Sequence, residues 1–329
     1  MTVRRLARIL TLVLGALVAP LASPAQQPES IPRIGYLIVS PLVDPPTAER
    51  QAFLDGLREL GYVVGRNIVI EYKSAAWNRE LLPDLAAELV DRKVDVIVAA
   101  PGAIEAARQA TRTIPIVFTG GTDPVVSGLV ASLARPGGNI TGWTFRLPEM
   151  AGKRLALLKE VVPRLSRMAV LWSPNDEGAP QEWQETQAAA RILGITLQSL
   201  EVRDPKDVPL ALSVMTRTRP NALIIFASAI TSAYRPIIVE FAKKQRLATM
   251  FGLRADVEAG GLMSYSASAA QGFRRAAYYV DRILKGAKPG DLPIERPDKF
   301  ELVINLATAK ALRVDIPTPL LMRADQIVE

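Results

Sequence analysis

The amino-acid sequence predicts an α/β protein made of two doubly wound, flavodoxin-like lobes joined by three interlobe crossings. Three observations predict it. The 329 residues exceed one ordinary domain and suit two of roughly 120–170 residues each. Short β-branched runs alternate with helical patterns along the chain, the signature of parallel sheets covered by helices. Gly-rich, strand-like segments stand where one half gives way to the other. Residues of apolar type make up 49% of the chain and charged residues 22%, enough apolar surface for two cores.

The amino terminus has the form of an export signal. Arg4, Arg5 and Arg8 supply a basic start, residues 9–18 an apolar stretch, and Ser23-Pro24-Ala25 a small-residue cleavage site before Gln26. That stretch falls short of the ~20 residues of a membrane span, and no Cys follows it to carry a lipid. Residues 1–25 are therefore expected to be removed on export to the periplasm. The remainder carries 37 basic and 33 acidic residues, so the net charge falls from +7 to +4. This small excess is scattered and not interleaved with aromatics, which excludes a nucleic-acid stripe.

In the first half, strands are expected at 34–39, 68–72, 94–99 and 114–118. Phe53, Leu54, Leu57 and Leu60 form an apolar helical stripe ended by Gly61, a C-cap. Leu82, Leu85, Ala86 and Leu89 fall at i, i+3, i+4 and i+7 and form another. The second half repeats the pattern, with strands at 168–172, 196–202, 222–226 and 248–251 and helices at 181–193, 208–218 and 236–245. Crossings are expected at 137–142, 260–266 and 289–297. Between the last two, Phe273, Ala276, Ala277, Val280, Ile283 and Leu284 mark a helix stopped by Gly286 and returned to lobe one. The division expected is 32–141 plus 267–290 for lobe one and 142–266 plus 291–329 for lobe two.

Cys and His are both absent, at 0 residues each. This removes disulfides, thiol nucleophiles, Cys or His zinc sites and every triad that needs an imidazole base. No Gly-x-Gly fingerprint, P-loop or nucleophile elbow occurs either. No catalytic residue, cofactor or metal ligand is expected.

Several stretches carry a family resemblance. They are Ala86-Ala87-Glu88-Leu89-Val90, Val94-Asp95-Val96-Ile97-Val98-Ala99, Thr113-Ile114-Pro115-Ile116-Val117-Phe118, Asp123-Pro124-Val125, the long run from Gly128 through Ser132-Leu133-Ala134-Arg135-Pro136-Gly137-Gly138-Asn139 to Gly142, Lys153-Arg154-Leu155, the helix from Ala276 to Gly286, and Lys299-Phe300-Glu301-Leu302-Val303-Ile304-Asn305. The sequence resembles the extracytoplasmic substrate-binding proteins of ABC importers, of the tryptophan- or tyrosine-transporter-like kind. The resemblance spans essentially the whole mature chain and implies a type I periplasmic-binding-protein fold. It implies capture of a small metabolite, an amino acid or an aromatic or amide-like compound, for delivery to a permease and its ATPase by a monomer. A non-transport sensor of the same fold, or a carboxylate-dependent enzyme, is the alternative. A transcription regulator of this fold would need a helix-turn-helix headpiece where the export signal stands. Two turns depart from the family pattern, Ala100-Pro101-Gly102-Ala103 and Ala227-Ser228-Ala229, so ligand identity does not carry over.

Ligands of open parallel sheets collect beyond the carboxyl ends of the strands. In lobe one this selects Ser40, Pro101, Gly102, Ala103, Gly121, Thr122 and Asp123. Amides of Gly102 and Ala103 are candidates for an anionic oxygen, although Pro101-Gly102 also reads as a plain tight turn. Asp123 before Pro124 fits a helix N-cap as well as a partner for a ligand ammonium. In lobe two the rule selects Ser173, Asn175, Asp176, Ser228, Gly252 and Tyr265, with Ser173 to Asp176 equally readable as a capping turn. Trp143 is a candidate to stack on a ligand, whereas Trp172 reads as core. Arg254 pairs with a ligand carboxylate or with a neighbour such as Asp256.

Overall fold

The computed structural model describes residues 31–120, 123–144, 149–176 and 178–329. The expected export signal at residues 1–25 lies outside them. Among the described residues no helix is long and apolar enough to cross a membrane.

Two separate sheets form. The first has the order β2-β1-β3-β4-β5, with β1 (Arg33–Ile38), β2 (Val69–Ser74), β3 (Val96–Ala99), β4 (Ile116–Gly120) and β5 (Ile140–Thr144), all parallel. The second runs β12-β11-β10-β9-β8-β6-β7. Its parallel part is β6 (Arg167–Trp172), β7 (Thr196–Glu201), β8 (Ala222–Ile225), β9 (Ala248–Phe251) and β10 (Met263–Ser266). Antiparallel β11 (Glu301–Asn305) joins β10, and the short β12 (Gln326–Val328) lies parallel at the edge.

Helices cover both faces of each sheet, so the strands read as continuous apolar runs. On sheet one, α1 (Ala48–Glu59) shares a face with a helix from far along the chain, while α2 (Leu82–Asp91) and α3 (Ile104–Ala110) cover the other. On sheet two, α4 (Glu149–Val161) and α5 (Ala179–Leu193) lie on one face; α6 (Asp207–Thr218) and, after the short α7 (Ala229–Ala233), α8 (Arg235–Gln245) lie on the opposite one. Then come α9 (Arg254–Glu258), α10 (Ala269–Leu284), α11 (Leu306–Leu312) and α12 (Thr318–Leu321). The strand period sorts the side chains. Along β3, Val96 and Val98 enter the core under α1 and α10, while Ile97 and Ala99 enter the core under α2 and α3. Along β6, Met168, Val170 and Trp172 alternate in the same way with Ala169 and Leu171. Each fully buried Leu, Ile or Val contributes about 1.5–3 kcal/mol, and these cores alone hold a chain without disulfides.

The chain passes between the sheets three times: after β5, after β10, and between residue 295 and β11. Helix α10 returns to sheet one, where Phe273, Ala276, Ala277 and Val280 enter the core shared with α1. The lobe boundaries lie a few residues beyond those read from the sequence. Residue 142 sits inside β5, the edge strand of sheet one, because Phe118, Thr119 and Gly120 of β4 take Gly142, Trp143 and Thr144 as partners. Glu295 also stays with this lobe, bridging to Trp143 and accepting from the Thr144 N–H at 3.0 Å.

Within β5, Gly142 leaves no choice of residue. Its φ is +148°, and a Cβ there would lie 2.1 Å from the Phe118 carbonyl oxygen, a backbone atom that cannot yield. Gly138, in the same Gly-rich segment, has nothing within 4 Å of a built Cβ. Gly142→Ala is expected to lower unfolding free energy by about 2–3 kcal/mol, and Gly138→Ala to change it by less than about 0.5 kcal/mol. Urea denaturation of both variants checks this, and equal effects would contradict the packing argument.

Candidate ligand-binding cleft

Both sheets share the doubly wound order in which the first strand of the unit lies between the second and the third. The topological switch points therefore fall between β1 and β3 and between β6 and β8, where diverging connections leave a crevice at the carboxyl ends. The first is flanked by Ser40 and the Ala100–Ala103 turn, the second by Ser173–Asp176 and the segment leading to Ser228.

The two switch points meet. Arg79 begins the 3₁₀ turn Arg79–Leu81, whose start is capped by the Asn78 side chain accepting from the Glu80 N–H. Its guanidinium lies over the 101–102 turn, with Nη1 3.5 Å from the Gly102 carbonyl oxygen, and forms an ion pair with Asp176 of the other lobe. Gly102 makes room for it: φ is +84°, and a Cβ would stand 3.0 Å from Nη2 and 3.1 Å from Nη1. Ala229 at the start of α7 packs against the apolar cluster of lobe one. At another point of the facing edges, Asp256 pairs with Arg235. Burial pushes the Asp256 carboxyl above the usual carboxylate range, against the opposing pull of Arg235, and the charge of Glu49 from lobe one adds to the rise.

The residues selected from the sequence take distinct places. Ser40 is half-buried, and its carbonyl accepts from the Ser74 hydroxyl at 2.8 Å. Pro101 is exposed. Ala103 is buried and its N–H donates to the Ala100 carbonyl at 3.0 Å, so the turn itself uses the amide expected to face an anion. Asp123 accepts from the Val125 and Val126 N–H groups at 2.9 and 3.1 Å; this is a capping role, but it closes a turn and not a helix. Trp143 is 3% exposed, with its indole against Gly272 of α10, a packing position within lobe one. Gly121 and Thr122 lie outside the described residues.

In lobe two, Ser173 is 1% exposed and its hydroxyl has no hydrogen-bond partner among the described residues. Its carbonyl accepts from the Asp176 N–H at 3.2 Å, so both belong to one turn. Asn175 is exposed. Ser228 caps α7 in a reciprocal box with Thr231. Gly252 lines a small recess beside the second passage, together with Met150, Arg154, Ser266 and Ala269. Tyr265 stacks on Phe300 at 5.8 Å between ring centroids. Trp172 is core, stacked on Trp183 and donating from its indole N–H to the Ser199 hydroxyl at 2.8 Å. Arg254 pairs with Glu258 at 2.7 Å, and Asp256 takes Arg235.

Gly102 and Asp176 thus both meet Arg79, with Ser173 in the same turn as Asp176; sequence reasoning missed Arg79 because one exposed-looking Arg after a strand carries no periodic signal. Arg154 was missed as well. It is 8% exposed, pairs with Glu182 at 2.5 Å and donates to the Tyr265 carbonyl at 2.9 Å. A signal for it existed: Arg154 shares the buried stripe of α4 with Met150, Ala151, Leu155 and Leu158, and a cation on an apolar stripe needs a specific partner. Thr119, near the end of β4, is a further buried hydroxyl without a partner among the described residues. Among the described residues no group of three His, Cys, Asp or Glu side chains is placed to hold a metal ion.

Residues 38–328 match the family described as ABC transporter substrate binding protein. The chain belongs to that family. It is the solute-binding component of an ABC transporter, in a family of binding proteins and not of enzymes. The binding protein is 27% identical over 278 residues to a tyrosine-binding protein of Clostridioides difficile, covering 83% of this chain and 79% of that one. Among solved structures it is similar to a conserved domain protein from Vibrio cholerae, with 28% identity and a TM-score of 0.84. It is also similar to an ABC domain from Streptococcus pneumoniae in complex with L-Trp, with 25% identity and a TM-score of 0.83. Each of these two alignments covers 91% of this chain and 100% of the other. The two-lobed architecture is the type I periplasmic-binding-protein fold.

Proposed function

We propose that this binding protein captures an amino acid with an aromatic or branched side chain in the cleft between the two sheets and delivers it to a membrane permease. The observation that carries the reading is the meeting of the two switch points, where Arg79 spans from the Gly102 turn to Asp176. Such an edge offers a buried hydroxyl and a charge of each sign within an apolar scaffold, which is how a small polar solute is oriented. The relatives that bind tyrosine and L-Trp support the same solute class.

Ser40, Gly102, Ser173, Asp176 and Ser228 are the lining residues proposed, with Gly121 and Thr122 placed by sequence just after β4. Pro101, Asn175, Gly252 and Tyr265 stand at the margins, Ala103 and Asp123 hold the turns around them, and Trp143 packs the lobe-one core behind. Hinge bending at the three passages closes the lobes over the solute and presents both lobe tips to the permease. Calorimetric titration with L-tryptophan, L-tyrosine, L-phenylalanine and L-leucine is expected to give saturable binding of at least one, and small-angle scattering of the same samples a smaller radius of gyration at saturation. Absence of binding by all four would remove this reading.

We also propose that the protein works in the periplasm after loss of residues 1–25. The basic, apolar and small-residue segments of the amino terminus support this. Intact mass of the exported protein is expected to correspond to a chain starting at Gln26; a mass retaining Met1 to Ala25 would oppose cleavage.

A further inference from the structure

We infer that Arg79 and Asp176 are the polar anchors of the solute, Arg79 for its carboxylate and Asp176 for its ammonium, so that the site selects zwitterions. The assignment rests on the amino-acid reading above and goes beyond it by naming which charges recognise which end.

The argument begins with where the charges come from. Among the described residues, two ion pairs near the facing edges lie within lobe two: Arg235 and Asp256 join α8 to α9, and Arg154 and Glu182 join α4 to α5. Each of those pairs fixes helices against one another within a single lobe. Arg79 and Asp176 come from different lobes, Arg79 from the 3₁₀ turn after β2 and reaching over the Gly102 turn, Asp176 from the turn after β6, and their side chains remain 28% and 16% exposed. They are therefore drawn partly out of water at the place where the lobes meet.

A partly desolvated pair gains little by itself, since the loss of hydration offsets much of the attraction. A solute that carries both charges changes this balance. Placed between the two side chains, a zwitterion keeps the signs alternating: guanidinium, carboxylate, ammonium, carboxylate. The planar guanidinium also matches a carboxylate with two parallel hydrogen bonds, a geometry that a solute lacking the carboxylate cannot satisfy.

Two features of the surroundings are built for this. Gly102 leaves open the volume the guanidinium occupies, as the contacts of a built Cβ show. Three residues before Asp176 in the same turn, the Ser173 hydroxyl is more than nine-tenths buried with no partner among the described residues, so it is available to the polar head of a solute held beside Asp176. A hydroxyl left in that condition costs free energy that a bound polar atom returns.

The test compares three probes that differ only at the two charges: L-tryptophan, L-tryptophanamide, which lacks the carboxylate, and indole-3-propionate, which lacks the ammonium. The wild-type protein is expected to bind L-tryptophan about 10- to 100-fold more tightly than either analogue. In Arg79→Met, affinity for L-tryptophan falls to near that for the amide, while the amide itself changes by less than about twofold. In Asp176→Asn, L-tryptophan falls toward indole-3-propionate, which itself holds steady. A merely structural role would lower all three probes together, so a common factor across them in either variant overturns the assignment, as does unchanged binding of L-tryptophan. Thermal unfolding of both variants verifies that they are folded, and each variant tests one anchor independently of the other. If wild-type protein binds L-tyrosine and not L-tryptophan, the matching trio of tyrosine, tyrosinamide and its deaminated acid replaces the first. Failure of wild-type protein to bind any amino acid removes the function proposed above and this assignment with it, whereas normal wild-type binding with indifferent variants removes the assignment alone.

Discussion

The structure depends on the polarity of the parallel strand. In a sheet whose strands all point one way, every carboxyl end opens on the same edge, and the connections diverge at one place along it. This chain builds that arrangement twice, in β1–β5 and in β6–β10, and sets the two edges against each other. Arg79 and Asp176 are the visible sign of the contact. The side chains that fill the cores keep the edges rigid, and the turns beyond them carry the polar groups. A binding function follows from this division without reactive side chains: the chain contains no His and no Cys, and the facing edges carry the buried Ser173 hydroxyl and the charges of Arg79 and Asp176.

The fold was legible because its signal is repeated and local. Strand β6 is written as Met168 to Trp172, an unbroken apolar run, and the stripe of Phe273, Ala276, Ala277 and Val280 on α10 points to a single buried face. The return of α10 to sheet one was readable from its position between two segments rich in turn residues. Boundaries were less legible. Gly142 reads as the end of a strand-like crossing, because nothing local shows that β4 pairs with residues 140–144; pairing is a property of the partner strand.

The site was legible only in outline. The strand-end rule reached Gly102, Ser173 and Asp176, which lie at the meeting edges. It also gathered Asp123, which the structure uses for closing a turn, and the separate stacking candidate Trp143 packs against Gly272. Backbone hydrogen bonding decides such cases, as at Ala103, whose N–H is taken by Ala100. Arg79 escaped notice because its significance comes from a residue 97 positions away. Arg154 is the instructive contrast, since a cation on the apolar stripe of a helix is anomalous in the sequence itself and has a buried partner in Glu182.

Amide hydrogen exchange measured with and without a saturating amino acid tests most directly whether the solute is held between the two carboxyl edges. The account predicts slowed exchange concentrated in the turns after β1, β3, β6 and β8, at residues 39–43, 100–103, 173–176 and 226–229, with the opposite ends of the same strands unchanged. Protection confined to those opposite ends, or to one lobe's outer helices, would contradict it.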